Sequence, residues 1–437
     1  MRALLLVTLL PLAASAQEDA GVEEENVVVE VPEDEANQGY SPDESQAQDP
    51  IRFTGYLDVG FAKATGNGSS FRSNDDRVPL DYGNDAFAPA VNSRGEVAST
   101  DSTGRFTNGF LPRSVGIGST PSLLLNTLSA DVRVQPRNLP VFLFARLQLM
   151  PRLLSTGDVT RVELQQAFGR LSPFKAHEFA VFLGRFDSVF GIEYLENEAN
   201  LRLGITPSLT ARYTTGHGLG AKAFYRVQVA SLWSAFSVNL AGTTNGTRIE
   251  ALVPVSASLT GAVVGSARLG YELNLQKVQV KLGVSGLYGP RNDLRVGTAK
   301  QLALAGDVRV NAFGFSLAGE VLHLIDERGA GALKVTGTTQ AELASGFQVT
   351  GGWARLGYTL PITSAAFTGA TLYVRYDRRH GQFEGFTQLQ TDRLTGGVRV
   401  DLFEVLALKA EVLLNRELAG APLVDNDVFT SSAVFTW

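Results

Sequence analysis

From residue 51 to the C-terminus, the chain alternates apolar and polar residues in stretches of ten to fourteen, separated by turns or polar loops. A period of two marks a strand whose two faces meet different surroundings. Ile51, Phe53, Leu57, Val59 and Phe61 alternate with Arg52, Thr54, Tyr56, Asp58 and Gly60. Leu139 to Leu149 alternates with Phe142, Phe144, Arg146 and Gln148; Ala221 to Val229 alternates with Lys222, Phe224, Arg226 and Gln228. Val263–Leu275 and Val278–Tyr288 read as a hairpin about Gln276-Lys277. Leu372, Val374 and Tyr376, then Leu406 to Leu414, keep the pattern, and the last strand carries Phe429, Ser431, Ala433, Phe435 and Trp437 on one face.

Connection lengths organise these strands. Short ones lie near 136-138, 172-176, 230-232, 276-277, 311-312, 360-367 and 401-404. Long ones are 65-120, 151-159, 188-217, 244-260, 290-298, 326-342, 380-387 and 416-426. Seven short and eight long connections predict sixteen strands, with fourteen or eighteen left open by the loose bounds of strands 8 (within 248-275) and 12 (345-358). Short turns at one end and long loops at the other are the plan of an all-β, transmembrane antiparallel β-barrel. A propeller or solenoid would show a fixed repeat, and a bundle would show spacings of three and four; neither pattern occurs.

The N-terminal end implies export. Met1-Arg2 is a basic start, residues 3-13 are apolar, and Ala14-Ser15-Ala16 precede Gln17, so 1-16 read as a signal peptide. Residues 17-50 hold twelve acids and no Lys or Arg, an acidic disordered leader too short for a plug domain. Residues 51-437 form one barrel domain, and with 37 basic against 32 acidic residues they are positive although the whole chain is −6. Cysteine is absent, which removes thiolate chemistry and most structural zinc sites.

Motifs for catalysis are missing or out of context. Ser172-Pro173-Phe174-Lys175 has S-x-x-K spacing without its companion triplets. Gly216 to Gly220 is neither a dinucleotide fingerprint nor a P-loop. His177, His217, His323 and His380 are scattered without metal-ligand spacing, and no G-x-S-x-G occurs. No enzyme activity, cofactor or metal is expected, and no basic stripe with interleaved aromatics suggests nucleic acid. Loop 65-120 reads as solvated, although Asp75, Asp76 and Asp81 could meet calcium.

Charge on the polar faces carries the functional expectation. Fifteen basic residues fall there: Arg52, Arg133, Arg146, Arg161, Lys222, Arg226, Arg268, Lys281, Arg309, Arg355, Arg375, Arg379, Arg393, Arg399 and Lys409. Nine acids accompany them: Asp58, Asp131, Glu163, Glu272, Asp307, Glu320, Asp377, Asp401 and Glu411. A wall with charges of both signs faces water, and a basic excess favours anions. Arg146, Lys222, Arg226, Arg268, Lys281, Arg309, Arg355, Arg375 and Arg399 are the expected pore-lining set. The bland alternative is that Arg and acid pair across strands and stiffen the wall.

The segment Gly184-Arg185-Phe186-Asp187-Ser188-Val189-Phe190-Gly191-Ile192-Glu193-Tyr194 resembles the G-[RQ]-F-x-x-P-F-G-x-E motif of Gram-negative phosphate-selective porins and related barrel porins, with Val189 in place of Pro. Arg212 to Gly216 and Ala354 to Tyr358 are similar to further family segments. The resemblance implies an outer-membrane channel for passive diffusion of small hydrophilic solutes, mildly anion-selective by its lumen charge. It implies that 188-217 folds inward as a constriction loop carrying Glu193, Glu196, Glu198, Arg202 and Arg212. It implies contact with outer-membrane lipid, and reading of Phe435 and Trp437 by the outer-membrane assembly machinery. A homotrimer is one assembly it allows. The family's lysine-rich ladder for phosphate is absent, and a non-channel barrel, enzyme or display scaffold, is the alternative function.

Overall fold

The computed structural model describes residues 50–64, 122–137, 139–150, 161–174, 178–214, 217–229, 233–243, 263–290, 300–327, 347–362, 364, 366–383, 389–418 and 427–437. The expected signal peptide, the leader up to residue 49 and loop 65-120 with its aspartates lie outside the described residues.

Sixteen strands stand among these residues. The first eight are β1 (Ile51–Ala64), β2 (Ser122–Val134), β3 (Val141–Met150), β4 (Arg161–Leu171), β5 (Glu178–Asp187), β6 (His217–Val229), β7 (Ser234–Thr243) and β8 (Val264–Leu275). The rest are β9 (Val278–Pro290), β10 (Lys300–Ala312), β11 (Phe315–Asp326), β12 (Phe347–Leu360), β13 (Phe367–Phe383), β14 (Leu389–Leu402), β15 (Leu406–Leu418) and β16 (Val428–Thr436). Each pairs antiparallel with its sequence neighbours, and β1 pairs β16, so the sheet closes on itself and leaves no edge. Fourteen and eighteen strands are thereby excluded.

Strand 8, Val264–Leu275, lies within the 248-275 expected of it, whereas the connection after β10 is Phe313-Gly314 rather than 311-312. Phe313 (φ 52°) and Gly314 (φ 79°) both adopt the left-handed region that a two-residue hairpin requires. A phenylalanine there carries no sequence signal, so alternation alone stops the strand early.

Faces separate as the alternation predicts. Outward positions are apolar and open, with Val321 66%, Leu304 55% and Leu269 54% exposed. A continuous apolar exterior of this kind suits lipid and would aggregate in water. No helix among the described residues is long and apolar enough to cross a membrane. Inward positions carry Asp58, Asp131, Arg146, Glu320, Arg375, Asp377, Arg393, Lys409 and Glu411, all buried.

Register shifts break the parity at three places, one of them at Thr368 near the start of β13. On β2, Asp58 faces Thr127 and Val59 faces Leu125, which leaves Asn126 as the extra residue. On β4, Arg146 faces Gln166 and Leu147 faces Leu164, which leaves Gln165 extra. Beyond Gln165 the inward residues become the even-numbered ones, so Arg170 points inward, a position absent from the expected cationic set. It is 2% exposed and lies 4.5 Å from the Phe142 ring centroid.

The barrel seam is closed by the last residue. Trp437 and Gly55 exchange both backbone hydrogen bonds at 3.1 Å. A Cβ on Gly55 would stand 2.6 Å from the indole carbon Cζ2, so only glycine lets the ring lie over β1.

Candidate functional site

The connection between β5 and β6 folds into the barrel. It contains a 3-10 turn at Glu193–Glu196 and the single-turn α1 (Ala211–Thr214), and nearly all of its described residues are buried. The motif that carries the family resemblance shapes its first turn. Phe186 and Phe190 are buried at 1% and 0%, and Gly191 adopts φ 76° where a Cβ would meet Glu320 and Thr214. Below it, His217 Nε2 and Asp187 stand 2.9 Å apart where β5 and β6 meet.

From there the segment is tied to the wall in order. At Gly191 and Ile192, the Gly191 N–H donates to Ser285 Oγ at 2.9 Å and the Ile192 N–H to Glu320 at 2.5 Å. Arg268 and Arg309 donate back to the carbonyls of Gly191 (3.1 Å) and Ile192 (3.3 Å). Glu196 takes a bidentate pair from Arg355 at 2.8 and 3.0 Å. Glu198 reaches the other side of the lumen, where Arg146 stands at 3.1 Å and Tyr56 and Gln148 donate to it at 2.5 Å.

The return path is held by backbone carbonyls and amides. Lys409 Nζ donates to Ala199 at 2.5 Å, Gly204 at 3.1 Å and also to Arg202. Arg399 donates to Asn200 and Arg202 at 3.2 and 2.9 Å. Glu411 accepts the Ile205 and Thr206 amides at 2.9 Å. Arg375 donates to the Thr206 and Pro207 carbonyls at 2.6 and 2.9 Å. Through inward side chains the segment therefore contacts β1, β3 and every strand from β8 to β15.

Six of the nine expected pore-lining cations thus hold the loop: Arg146, Arg268, Arg309, Arg355, Arg375 and Arg399. Lys222, Arg226 and Lys281 stand on β6 and β9. Lys222 lies 4.1 Å from the Phe182 ring centroid, above a buried cluster of Phe142, Phe144, Phe168, Phe182, Phe186 and Phe224. Arg226 pairs with Glu178 at 2.7 Å and Glu272 at 3.1 Å, and Lys281 sits opposite Glu272 and Arg309 in register.

The loop charges are anchors. Glu193 accepts from the Ser208 amide and hydroxyl at 2.6 and 2.5 Å, and burial pushes its carboxyl up against those two bonds. Burial also pushes Glu196 up, but the charge and hydrogen bonds of Arg355 outweigh it and hold the carboxyl at about 2. Arg202 donates to the carbonyls of Glu196 (3.1 Å), Asn197 (2.5 Å) and Ile205 (3.1 Å), stitching the loop to itself. Nothing is described of the Arg212 side chain. Glu193, Glu196 and Glu198 are each buried against a partner. Alternation could place Tyr56, Gln148, Ser285 and Lys409 inward, but no sequence signal pairs them with residues 191–206.

No family model matches the chain, and no curated protein matches it. Solved structures do resemble it. OmpF of Salmonella typhi, solved with daunomycin, is 8% identical with a TM-score of 0.50, covering 89% of this chain and 97% of that one. The anion-selective porin from Comamonas acidovorans is 10% identical (TM-score 0.48; 89% and 99% covered), as is OmpT of Vibrio cholerae in its trimer form (0.48; 89% and 99%). At such identities the likeness speaks for the fold alone. The chain has the closed sixteen-strand fold of an outer-membrane β-barrel porin.

Proposed function

We propose that the protein is an outer-membrane channel through which small hydrophilic solutes diffuse passively, in a lumen narrowed by residues 188–214. The observation that supports this best is the division of the closed wall. Apolar side chains face out along every strand, while ionised groups face in, where a dry core would not tolerate them. The described contacts of the inward segment fall on β1, β3 and β8 to β15, so the passage is assigned to the remaining side of the lumen.

The anion preference is assigned to the excess of basic over acidic residues on the inward face, which includes Lys222, Arg226 and Lys281 and to which Arg170 is added. Residues 184–194 account for how the loop turns inward, so their likeness to phosphate-selective porins is taken as structural. A membrane location for the exported chain, and reading of Trp437 during assembly, belong to the same proposal. Single-channel current in a planar bilayer under a salt gradient tests it. Discrete conductance steps with a reversal potential on the anion side are expected; a membrane that stays insulating over the inserted barrel would refute the channel.

A further inference from the structure

The outer wall of β13 to β15 carries a cluster of charge that the channel does not use. On β13, β14 and β15, Arg378 stands opposite Asp392 and Asp392 opposite Arg416. Neighbours so paired lie about 5 Å apart, and all three are on the outward face. One step further along the same strands, His323, Thr350, His380 and Gln390 form a second polar row across β11 to β14. One step the other way the surface is apolar and open, with Tyr376, Leu394 and Leu414 at 44, 45 and 42% exposure. The change from hydrocarbon-facing to charged therefore occurs within one strand pair, at the end of the barrel where the long connections lie.

We propose that Arg378 and Arg416, assisted by His323 and His380, seat the phosphate groups of a phosphate-bearing lipid in the external leaflet. This rests on reading the barrel as membrane-spanning with its long loops outside. Three observations support it. Arg378 is 55% exposed, and its Nε is 3.7 Å from Asp392, beyond hydrogen-bond length. The phenol of Tyr376 donates to Asp392 at 2.8 Å, so the carboxylate has a partner besides Arg378. The patch is also local. At the same end of β6 to β10, Ala221, Gly242, Gly265, Gly286 and Leu302 face outward and border a shallow apolar depression, with Lys300 as a single basic residue at the start of β10. A guanidinium fork matches two phosphate oxygens at once, and a lipid headgroup is the phosphate source that reaches a membrane-facing wall at this height.

The test uses the full chain purified in detergent and titrated separately with diphosphoryl lipid A, the same lipid without phosphates, and inorganic phosphate. Binding is read by native mass spectrometry, and folding by the difference in gel mobility between heated and unheated samples. Wild type should hold diphosphoryl lipid A, and Arg378→Gln and Arg416→Gln should each weaken it about tenfold. Arg378→Lys and Arg416→Lys, which keep the charge, should retain most of the affinity, and Lys300→Gln on β10 should change nothing. Equal binding of the dephosphorylated lipid, undiminished binding by the two Gln variants, or displacement by equimolar inorganic phosphate would each overturn the proposal. Conductance of the Gln variants should equal wild type. A non-conducting wild type that binds lipid sinks the channel and leaves the lipid seat standing, whereas a chain soluble without detergent sinks both.

Discussion

Glu196→Gln should release the inward loop without opening the barrel. Glu196 and Arg355 form a bidentate pair at 2.8 and 3.0 Å, with side chains 6% and 5% exposed. Removing one partner of a buried pair leaves the other charge uncompensated and costs roughly 3–5 kcal/mol. The carboxyl offers a second route to the magnitude. Its fall from an ordinary value of 4.5 to about 2 is worth about 3 kcal/mol. Because docking lowers the value, this contribution is complete above pH 4.5 and disappears as pH falls through about 2. The assay is amide hydrogen exchange over residues 188–214 in the detergent-folded protein. Glu196→Gln should speed exchange there by a hundredfold or more, following from about 3 kcal/mol, while β9 to β15 keep their protection. Between pH 4.5 and 3 the gap between wild type and variant should shrink. Glu196→Leu with Arg355→Leu should recover part of the loss, since an apolar pair carries no stranded charge. Unchanged exchange in Glu196→Gln, or losses in the two single variants that simply add in the double, would refute the idea that this pair clamps the loop.

Three further outcomes follow from the same geometry. Lys409→Met removes a donor from three loop carbonyls, of which only that of Arg202 keeps a second, from Arg399, so single-channel records should gain current noise while the yield of folded barrel holds; quiet records would deny Lys409 a part in fixing the loop. Gly55→Val and Trp437→Ser should both lower the yield of folded barrel and leave unit conductance unaltered, because the seam between β1 and the last residue is an outward feature; normal yields would remove the role. Neutralising Lys222, Arg226 and Lys281 together should shift the reversal potential toward cations, measured under a salt gradient, and an unmoved potential would place selectivity elsewhere.

The period of two determined a great deal by itself. In a barrel wall one face meets lipid and the other meets polar lumen, so every residue of β9, from Val278 to Pro290, declares its side by parity alone. Lengths of connections then supplied sixteen strands, because tight turns and long loops must alternate between ends. Parity is a local property, however, and it fails where the backbone slips. The extra residue Gln165 reverses the rule for the rest of β4, which hid Arg170, and Phe313 in a left-handed turn hid the true end of β10.

What faces an inward side chain was decided only by the tertiary structure. Alternation placed Arg146, Arg268, Arg309, Arg355, Arg375 and Arg399 inside, and from there they read as a cationic lining. Their partners are carbonyls and carboxylates of residues 191–207, which lie between 52 and 199 positions away along the chain. A buried backbone must satisfy its hydrogen bonds somewhere, and a loop without regular structure can do so only against the wall that surrounds it. That requirement, invisible in any one strand, turned most of the expected pore lining into the scaffold that holds the constriction.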